Sequence, residues 1–284
     1  MRTLICAAAM MIGVVACTAP ARAPESRADV APPPAEPALV RVVARDFEFD
    51  SAHTAPAGLL AVRLVNEGHA IHMLGVSRLD SNKTAADLFR AIRANQSPRW
   101  FTELGGPGAV SPGDSTTSYL VLEPGRYTMI CWWADSTGKA HIMDGMLSTL
   151  TVTGQNAGAP HEPAPDVYIR ETDYHIAMPT TLHAGRHVFR VDNDGPQDHD
   201  VAIVRVLPGH TEAQAEQWIA APNPRMSEAP VEALGGIVGQ TRWAHTEFTA
   251  DLPAGDYLVV CLIPDAKDQK PHFMHGMLVH LHVS

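Results

Sequence analysis

Cys131 is followed by His141-Ile142-Met143-Asp144-Gly145-Met146, and Cys261 by His272-Phe273-Met274-His275-Gly276-Met277. Each has a further histidine upstream. His72 closes Asn66-Glu67-Gly68-His69-Ala70-Ile71-His72, and His199 closes Asn193-Asp194-Gly195-Pro196-Gln197-Asp198-His199, so each lies six residues after an asparagine. One thiolate, two imidazoles and one thioether are the donor types of a mononuclear copper electron-transfer site. No Ser-His-Asp order, phosphate loop or paired-carboxylate site stands out beside them.

The elements that must position these residues also come twice. The offset between copies is 127 residues at the upstream histidine, 130 at the cysteine and 131 at the second histidine and the last methionine. A period this long marks a duplicated domain, because solenoid repeats run at about 20 to 50 residues. The expected division is a first domain at 39–153, a small-residue and proline-rich linker at 154–165, and a second domain at 166–284. Each cysteine ends a strand-like run opened by a Gly-x-Tyr turn, Gly125-Arg126-Tyr127 or Gly255-Asp256-Tyr257. Segments 40–44, 60–65 and 146–152 in the first copy, and 167–171, 187–191, 200–206 and 276–283 in the second, are also β-rich and bounded by Gly, Pro or Asn. Each copy carries one helix-like insert, with an N-cap signal at Thr84 and a capping box at Thr211-Glu212-Ala213-Gln214. The expected fold is all-β: two tandem Greek-key β-sandwiches, each with one short helix insert.

The front of the chain reads as targeting sequence. Met1-Arg2 is basic and residues 3–16 are apolar and uncharged, too short to span a membrane and suited to a signal peptide at 1–16. Val14-Val15-Ala16-Cys17 has the pattern of a lipoprotein processing site, which makes Cys17 the expected lipidation site. Cleavage after Ala21-Arg22-Ala23 is the rival. Residues 17–38 then read as an Ala/Pro-rich tether. These features place the chain in the cell envelope, on the periplasmic or extracellular side, held to the membrane through a lipid anchor. Of four cysteines, Cys131 and Cys261 are then the two left in the folded part, one per copy, and equivalent positions in two domains are poor disulfide partners. Net charge is −10 with no basic run, which argues against a nucleic-acid partner.

With these motifs in place the chain resembles the cupredoxin superfamily, the blue copper proteins such as plastocyanin and azurin, over nearly all of both copies. The resemblance rests on the Asn-plus-six histidine, the Gly-x-Tyr strand ending in cysteine, and the His-x4-Met that follows. It implies two tandem cupredoxin-like domains. It implies copper ligation by His72, Cys131, His141 and Met146 in one copy and by His199, Cys261, His272 and Met277 in the other. It also implies a one-electron carrier that serves a redox partner protein in the envelope, with type 1 copper-like sites. The chain departs from the family in the distance from cysteine to second histidine, with nine residues between Cys131 and His141 and ten between Cys261 and His272. Turn-forming residues in both inserts suggest a hairpin in which Cys131 faces His141, and Cys261 faces His272, across the turn.

Other readings stay open on the residues. Both cysteines could be buried core thiols in a metal-free binding or scaffold lipoprotein. Met143 and Met274 repeat as regularly as Met146 and Met277. Trp132 and Trp133 could guide an electron or fill the sandwich. Two-domain copper oxidases and nitrite reductases place a histidine beside the ligand cysteine, whereas Cys131 lies between Ile130 and Trp132 and Cys261 between Val260 and Leu262, so no enzyme is expected. The second copy is expected to be the better copper site, because the first carries His69 and Met73 beside His72.

Overall fold

A computed structural model describes residues 36–80, 82–94, 96, 98–154, 160–221 and 229–284. The expected signal peptide, the expected lipidation site Cys17, most of the expected tether and the middle of the expected linker lie outside the described residues. The first copy contains β1 (Ala38–Arg45), β2 (Glu48–Ser51), β3 (Thr54–Pro56), β4 (Gly58–Asn66), β5 (Gly75–Leu79), α1 (Ala85–Arg93), β6 (Phe101–Glu103), β7 (Ser115–Leu122), β8 (Gly125–Ile130) and β9 (Leu147–Thr153). The second contains β10 (Val167–Thr172), β11 (His175–Ala177), β12 (Thr181–Leu182), β13 (Gly185–Asn193), β14 (His199–Val206), α2 (Glu212–Ile219), β15 (Val231–Gln240), β16 (His245–Leu252), β17 (Gly255–Val260) and β18 (Leu278–Val283). The fold is all-β, with one α-helix insert per copy among the described residues. Both helices start at their threonine: Thr84 caps α1 with Asp87 reciprocating, and Thr211 caps α2 with Gln214 reciprocating.

Each copy has its own five-stranded sheet, in the order β3-β9-β8-β5-β6 for the first and β12-β18-β17-β14-β15 for the second. The facing layer is shared. One eight-stranded sheet runs β11-β10-β13-β16-β7-β4-β1-β2, and it passes from the second copy to the first where β16 pairs antiparallel with β7. Alternation along the strands fills two cores. Val40, Val42, Leu60, Val62 and Leu64 of the shared sheet pack toward Val76, Met129 and Leu150. Phe189, Val191 and Phe248 pack toward Val201, Val259 and Leu281. The first core continues into the second copy through Ala202, Val204, Leu258 and Val260.

The two copies also meet through residues 105–111. This segment bonds to the chain around His72 on one side (Leu74 N–H to Pro107 O, 2.9 Å; Val110 N–H to His72 O, 2.9 Å) and to β15 on the other (Gly108 N–H to Gly236 O, 3.0 Å; Ser111 N–H to Ala233 O, 2.8 Å). Glycine is required at the closest approach. A Cβ on Gly236, whose φ is +127°, would lie 1.7 Å from the Val201 carbonyl oxygen, and one on Gly108 would lie 2.7 Å from the Gly236 carbonyl carbon.

The repeated Gly-x-Tyr has a structural purpose. Tyr127 and Tyr257 are buried, and each hydroxyl donates to a carbonyl four residues upstream, Glu123 O at 2.7 Å and Pro253 O at 2.5 Å. The bond closes the turn that starts β8 and β17, the two strands that deliver the cysteines.

Burial also sets up one pH-dependent cost. Glu171 on β10 is fully buried, both carboxylate oxygens lack a hydrogen-bond partner among the described residues, and the first copy has Ala44 in its place. Burial, reinforced by the nearby Asp200 charge, pushes its pKa well above the ordinary value. A carboxyl raised in the folded state contributes stability that is full below its unfolded pKa, near 4.5, and is lost as pH rises through the folded value. Glu171→Gln keeps the neutral shape at every pH. In thermal melts of metal-free protein the variant should therefore gain on the parent between pH 4 and pH 8. A gap that does not change with pH would show that Glu171 is not the cause.

Candidate metal centres

Asparagine at the end of β4 and of β13 builds the loop that delivers the upstream histidine. Asn66 Nδ2 donates to Ala70 O and Val110 O, both at 2.8 Å, and its Oδ1 accepts from Gly68 N–H at 2.9 Å. Asn193 repeats this with Gln197 O at 3.0 Å, Gln240 O at 3.2 Å and Gly195 N–H at 2.9 Å. The amide satisfies the loop backbone, and His72 and His199 end fully buried.

The insert after each cysteine folds back on itself, in a register that differs from the expected one. Ala134 pairs with Ala140, and Pro264 with Pro271. His141 N–H donates to Trp133 O and His272 N–H to Ile263 O, so each second histidine stands opposite the residue two beyond the cysteine. The difference arises because the chain then turns into a short 3₁₀ segment, His141–Asp144 or His272–His275, which ends at a left-handed glycine, Gly145 or Gly276. This segment brings the imidazole back to the thiol.

Three of the four expected ligands in each copy converge. Cys131 Sγ lies 3.8 Å from His72 Nδ1 and 3.5 Å from His141 Nδ1, and the two nitrogens are 3.2 Å apart. Cys261 Sγ lies 3.8 Å from His199 Nδ1 and 3.5 Å from His272 Nδ1, and those nitrogens are 3.1 Å apart. Both triangles are wholly buried. A metal bonded at about 2.0–2.1 Å to imidazole nitrogen and about 2.3 Å to thiolate sulfur spans donor separations of roughly 3.3–3.8 Å. Met146 and Met277 are fully buried beside them. Met146 O accepts from Cys131 N–H at 3.2 Å and Met146 N–H donates to His141 O at 3.1 Å. Met277 makes the same two contacts with Cys261 and His272, each at 3.2 Å. The alternative pair is not equivalent in its surroundings: Met143 packs against Leu88 and Ile142, whereas Met274 is 51% exposed.

The electrostatics favour neutral groups in the absence of metal. Burial pushes the Cys131 thiol up to about 12, against the opposing backbone N–H groups of Met73 and Trp133. Burial also raises Cys261 well above its ordinary value, helped by the Asp200 and Glu171 charges. All four histidines are lowered, burial being the largest cause in each.

Sequence reasoning missed the carboxylates behind the rings. Asp46 Oδ1 lies 3.2 Å from His72 Nε2, and Asp173 Oδ1 lies 3.3 Å from His199 Nε2. Burial would raise Asp46, but hydrogen bonds from the His69 backbone and ring, from the His72 ring and from Ala70 N–H outweigh it and hold the carboxyl well below its ordinary range. Partners of this kind orient a metal-binding imidazole and fix which nitrogen is free to ligate. Phe47 and Tyr174 follow these aspartates in left-handed conformations, φ 67° and 66°, and stand edge-on to His141 and His272. The signal was available: Asp46-Phe47 and Asp173-Tyr174 are 127 residues apart, the offset of the upstream histidines. Gly68 and Gly195 complete the arrangement, since a Cβ on either would come within 2.8 Å of the histidine Nε2.

The two centres differ around this common plan. His69 turns away, exposed and bonded to Asp46 at 2.9 Å, so it does not compete with His72. The expectation that the second copy is the better site has no support in the donor triangles, which agree to 0.1 Å. Asp200 occupies the position of Met73; its N–H donates to Cys261 Sγ at 3.4 Å and its carboxylate accepts from Leu262 N–H at 2.6 Å. Asp265, also buried, approaches His272 Nε2 to 3.6 Å. A cleft of about 900 Å³ lies between the copies, lined by Met73, Trp132 and Trp133 of one and Asp200, Leu262 and Ile263 of the other.

No protein-family model and no curated protein matches the chain. Among solved structures it is similar to an auracyanin from the photosynthetic bacterium Roseiflexus castenholzii, with 18% identity and a TM-score of 0.31, covering 42% of this chain and all of that one. It is also similar to auracyanin A, a "blue" copper protein from Chloroflexus aurantiacus, with 13% identity and a TM-score of 0.30, covering 41% of this chain and 99% of that one. A blue copper oxidase from Nitrosomonas europaea matches with 11% identity and a TM-score of 0.27, covering 87% of this chain and 86% of that one.

Proposed function

We propose that the chain is a copper-binding protein of the cupredoxin type, a one-electron carrier with two type 1 copper-like centres. The observation that carries this reading is the donor triangle of one Sγ and two Nδ1 atoms, buried, metal-sized and built twice from equivalent residues. The donor set fits copper: a soft thiolate with two imidazoles suits it, and hard cations take oxygen ligands instead. Copper bound there would supply a one-electron couple. The chain's own residues do the rest. His72, Cys131 and His141 hold one centre and His199, Cys261 and His272 the other, with Met146 and Met277 as the expected fourth ligands. Asp46 fixes the His72 ring by a hydrogen bond, Asp173 stands in the equivalent place 3.3 Å from His199 Nε2, and full burial keeps water from the donors. Neither cysteine has a neighbouring histidine to bridge to a second copper, which favours a carrier over an oxidase or nitrite reductase. Trp132-Trp133 and Leu262-Ile263 follow the two cysteines directly and line the cleft, which makes it the proposed side for electron exchange. On the N-terminal sequence, the protein is exported, anchored through Cys17, and exchanges electrons with a partner protein in the cell envelope.

Adding Cu(II) to purified full-length protein should load two equivalents and produce an intense thiolate-to-copper absorption that bleaches reversibly with a mild reductant. Both thiols are protonated at neutral pH, so uptake displaces protons and must weaken as pH falls and strengthen as it rises. Protein that takes up no copper under conditions that load a small blue copper protein would leave a metal-free scaffold as the reading.

A further inference from the structure

A third donor cluster lies on the outer side of the shared sheet, away from both cysteines. His245 and Glu247 are two apart on β16 and so face the same way, and Glu162 of the linker reaches over them. One donor atom from each of the three lies within 4.8 Å of the others, and Glu162 Oε1 is 3.9 Å from His245 Nε2. Glu247 is only 1% exposed. Its Oε1 accepts from Arg190 Nη1 at 3.0 Å, whereas its Oε2 is covered and has no hydrogen-bond partner among the described residues. A covered carboxylate oxygen without a partner is costly unless a cation or proton meets it. Arg190 pairs with the other oxygen, Oε1, and divides its charge with Asp192, which its guanidinium contacts at 3.0 Å, so Oε2 is left for another cation.

The geometry points to a divalent-cation site formed by Glu162, His245 and Glu247, suited to zinc or a similar borderline ion. Two carboxylate oxygens and one imidazole are a three-ligand zinc set, with a fourth position open to water. Access is available, since the His245 and Glu162 side chains are 48% and 34% exposed and can close onto an ion. The ion would meet the bare Oε2 and tie the linker to the sheet. Burial and the neighbouring Glu162 charge raise Glu247 to about 7, against the lowering effect of Arg190, as expected where two carboxylates crowd together. This site does not depend on copper in the cysteine centres.

The test is zinc stoichiometry of the full chain, by equilibrium dialysis of metal-free protein. His245→Ala and Glu162→Gln change solvent-facing side chains, and each should bind one zinc fewer than the parent. The Cys131→Ser/Cys261→Ser double variant, without the thiols, should still take up one zinc, and its X-ray absorption should show oxygen and nitrogen ligands only. Equal zinc counts with and without His245 would overturn the site and leave a proton shared by the two glutamates. Failure of the copper reading would instead show as loss of copper uptake with this zinc difference intact.

Discussion

Cys131→Ser should remove one of two bound coppers and half of the thiolate absorption, and Cys261→Ser should do the same to the other half. Each triangle is drawn from one copy alone, with no donor from its neighbour. Serine is a poor replacement at these positions. Its hydroxyl does not ionise near neutral pH and lacks the soft sulfur that selects copper. The near-identical separations in the two copies predict equal losses, and the double variant should bind no copper at the two centres. Metal analysis paired with visible spectra of full-length protein checks this. A single substitution that empties both centres, or neither, would show that the triangles are not independent metal sites.

The second large effect is expected at Gly236, where the copies press together. An alanine Cβ would collide with the Val201 carbonyl oxygen at 1.7 Å, at a φ of +127° that a side chain rarely adopts. The atoms it would meet, in Val201 and Ala202, are backbone and cannot rotate away. Gly236→Ala should cost more than about 3 kcal/mol, in the class of backbone strain with overpacking. For a chain of this size that lowers Tm by roughly 6 to 12 °C. Gly209→Ala is the control. Its φ is +88°, but a Cβ there meets nothing within 4 Å among the described residues, so only the conformational cost of about 1 kcal/mol applies. Thermal denaturation that finds the two variants equal would rule out the collision as the main source of the loss. Gly236 pairs with Ala202, three residues from His199, so the same substitution should also loosen the second centre.

Much of the centre was legible because it is repeated. A single His-x4-Met carries little information, but a cysteine with the same histidines and methionine at matching offsets singled out the donors that converge. The capping residues Thr84 and Thr211 were equally readable, since a cap is a local hydrogen bond with a local pattern. Three features were not read. The register of the loop after each cysteine depends on a 3₁₀ turn that neither His141 nor His272 announces. Asp46 and Asp173 act through space on histidines 26 residues away. The junction of the copies rests on β7, β15 and β16, and two of these hide their nature: β15 contains Gly235, Gly236 and Gly239, which read as breakers, and β16 carries His245, Glu247 and Asp251 on the side away from the core.

The strand pair at that junction has a symmetry of its own. Thr117 faces Thr249, Ser118 faces Phe248 and Tyr119 faces Glu247. Ser118 and Phe248 are 130 residues apart, the offset between the two cysteines, so each faces its own counterpart in the other copy. Strands that cross a two-fold axis between identical subunits pair in this way. The chain therefore has the layout of a symmetric dimer whose subunits have been joined end to end. In a true homodimer every substitution appears on both sides of the axis. Once the subunits share one chain, the sides can differ, and they do: Met73 corresponds to Asp200, Ala44 to Glu171 and Phe47 to Tyr174, so that two centres built on one plan carry unlike polar groups at their edges.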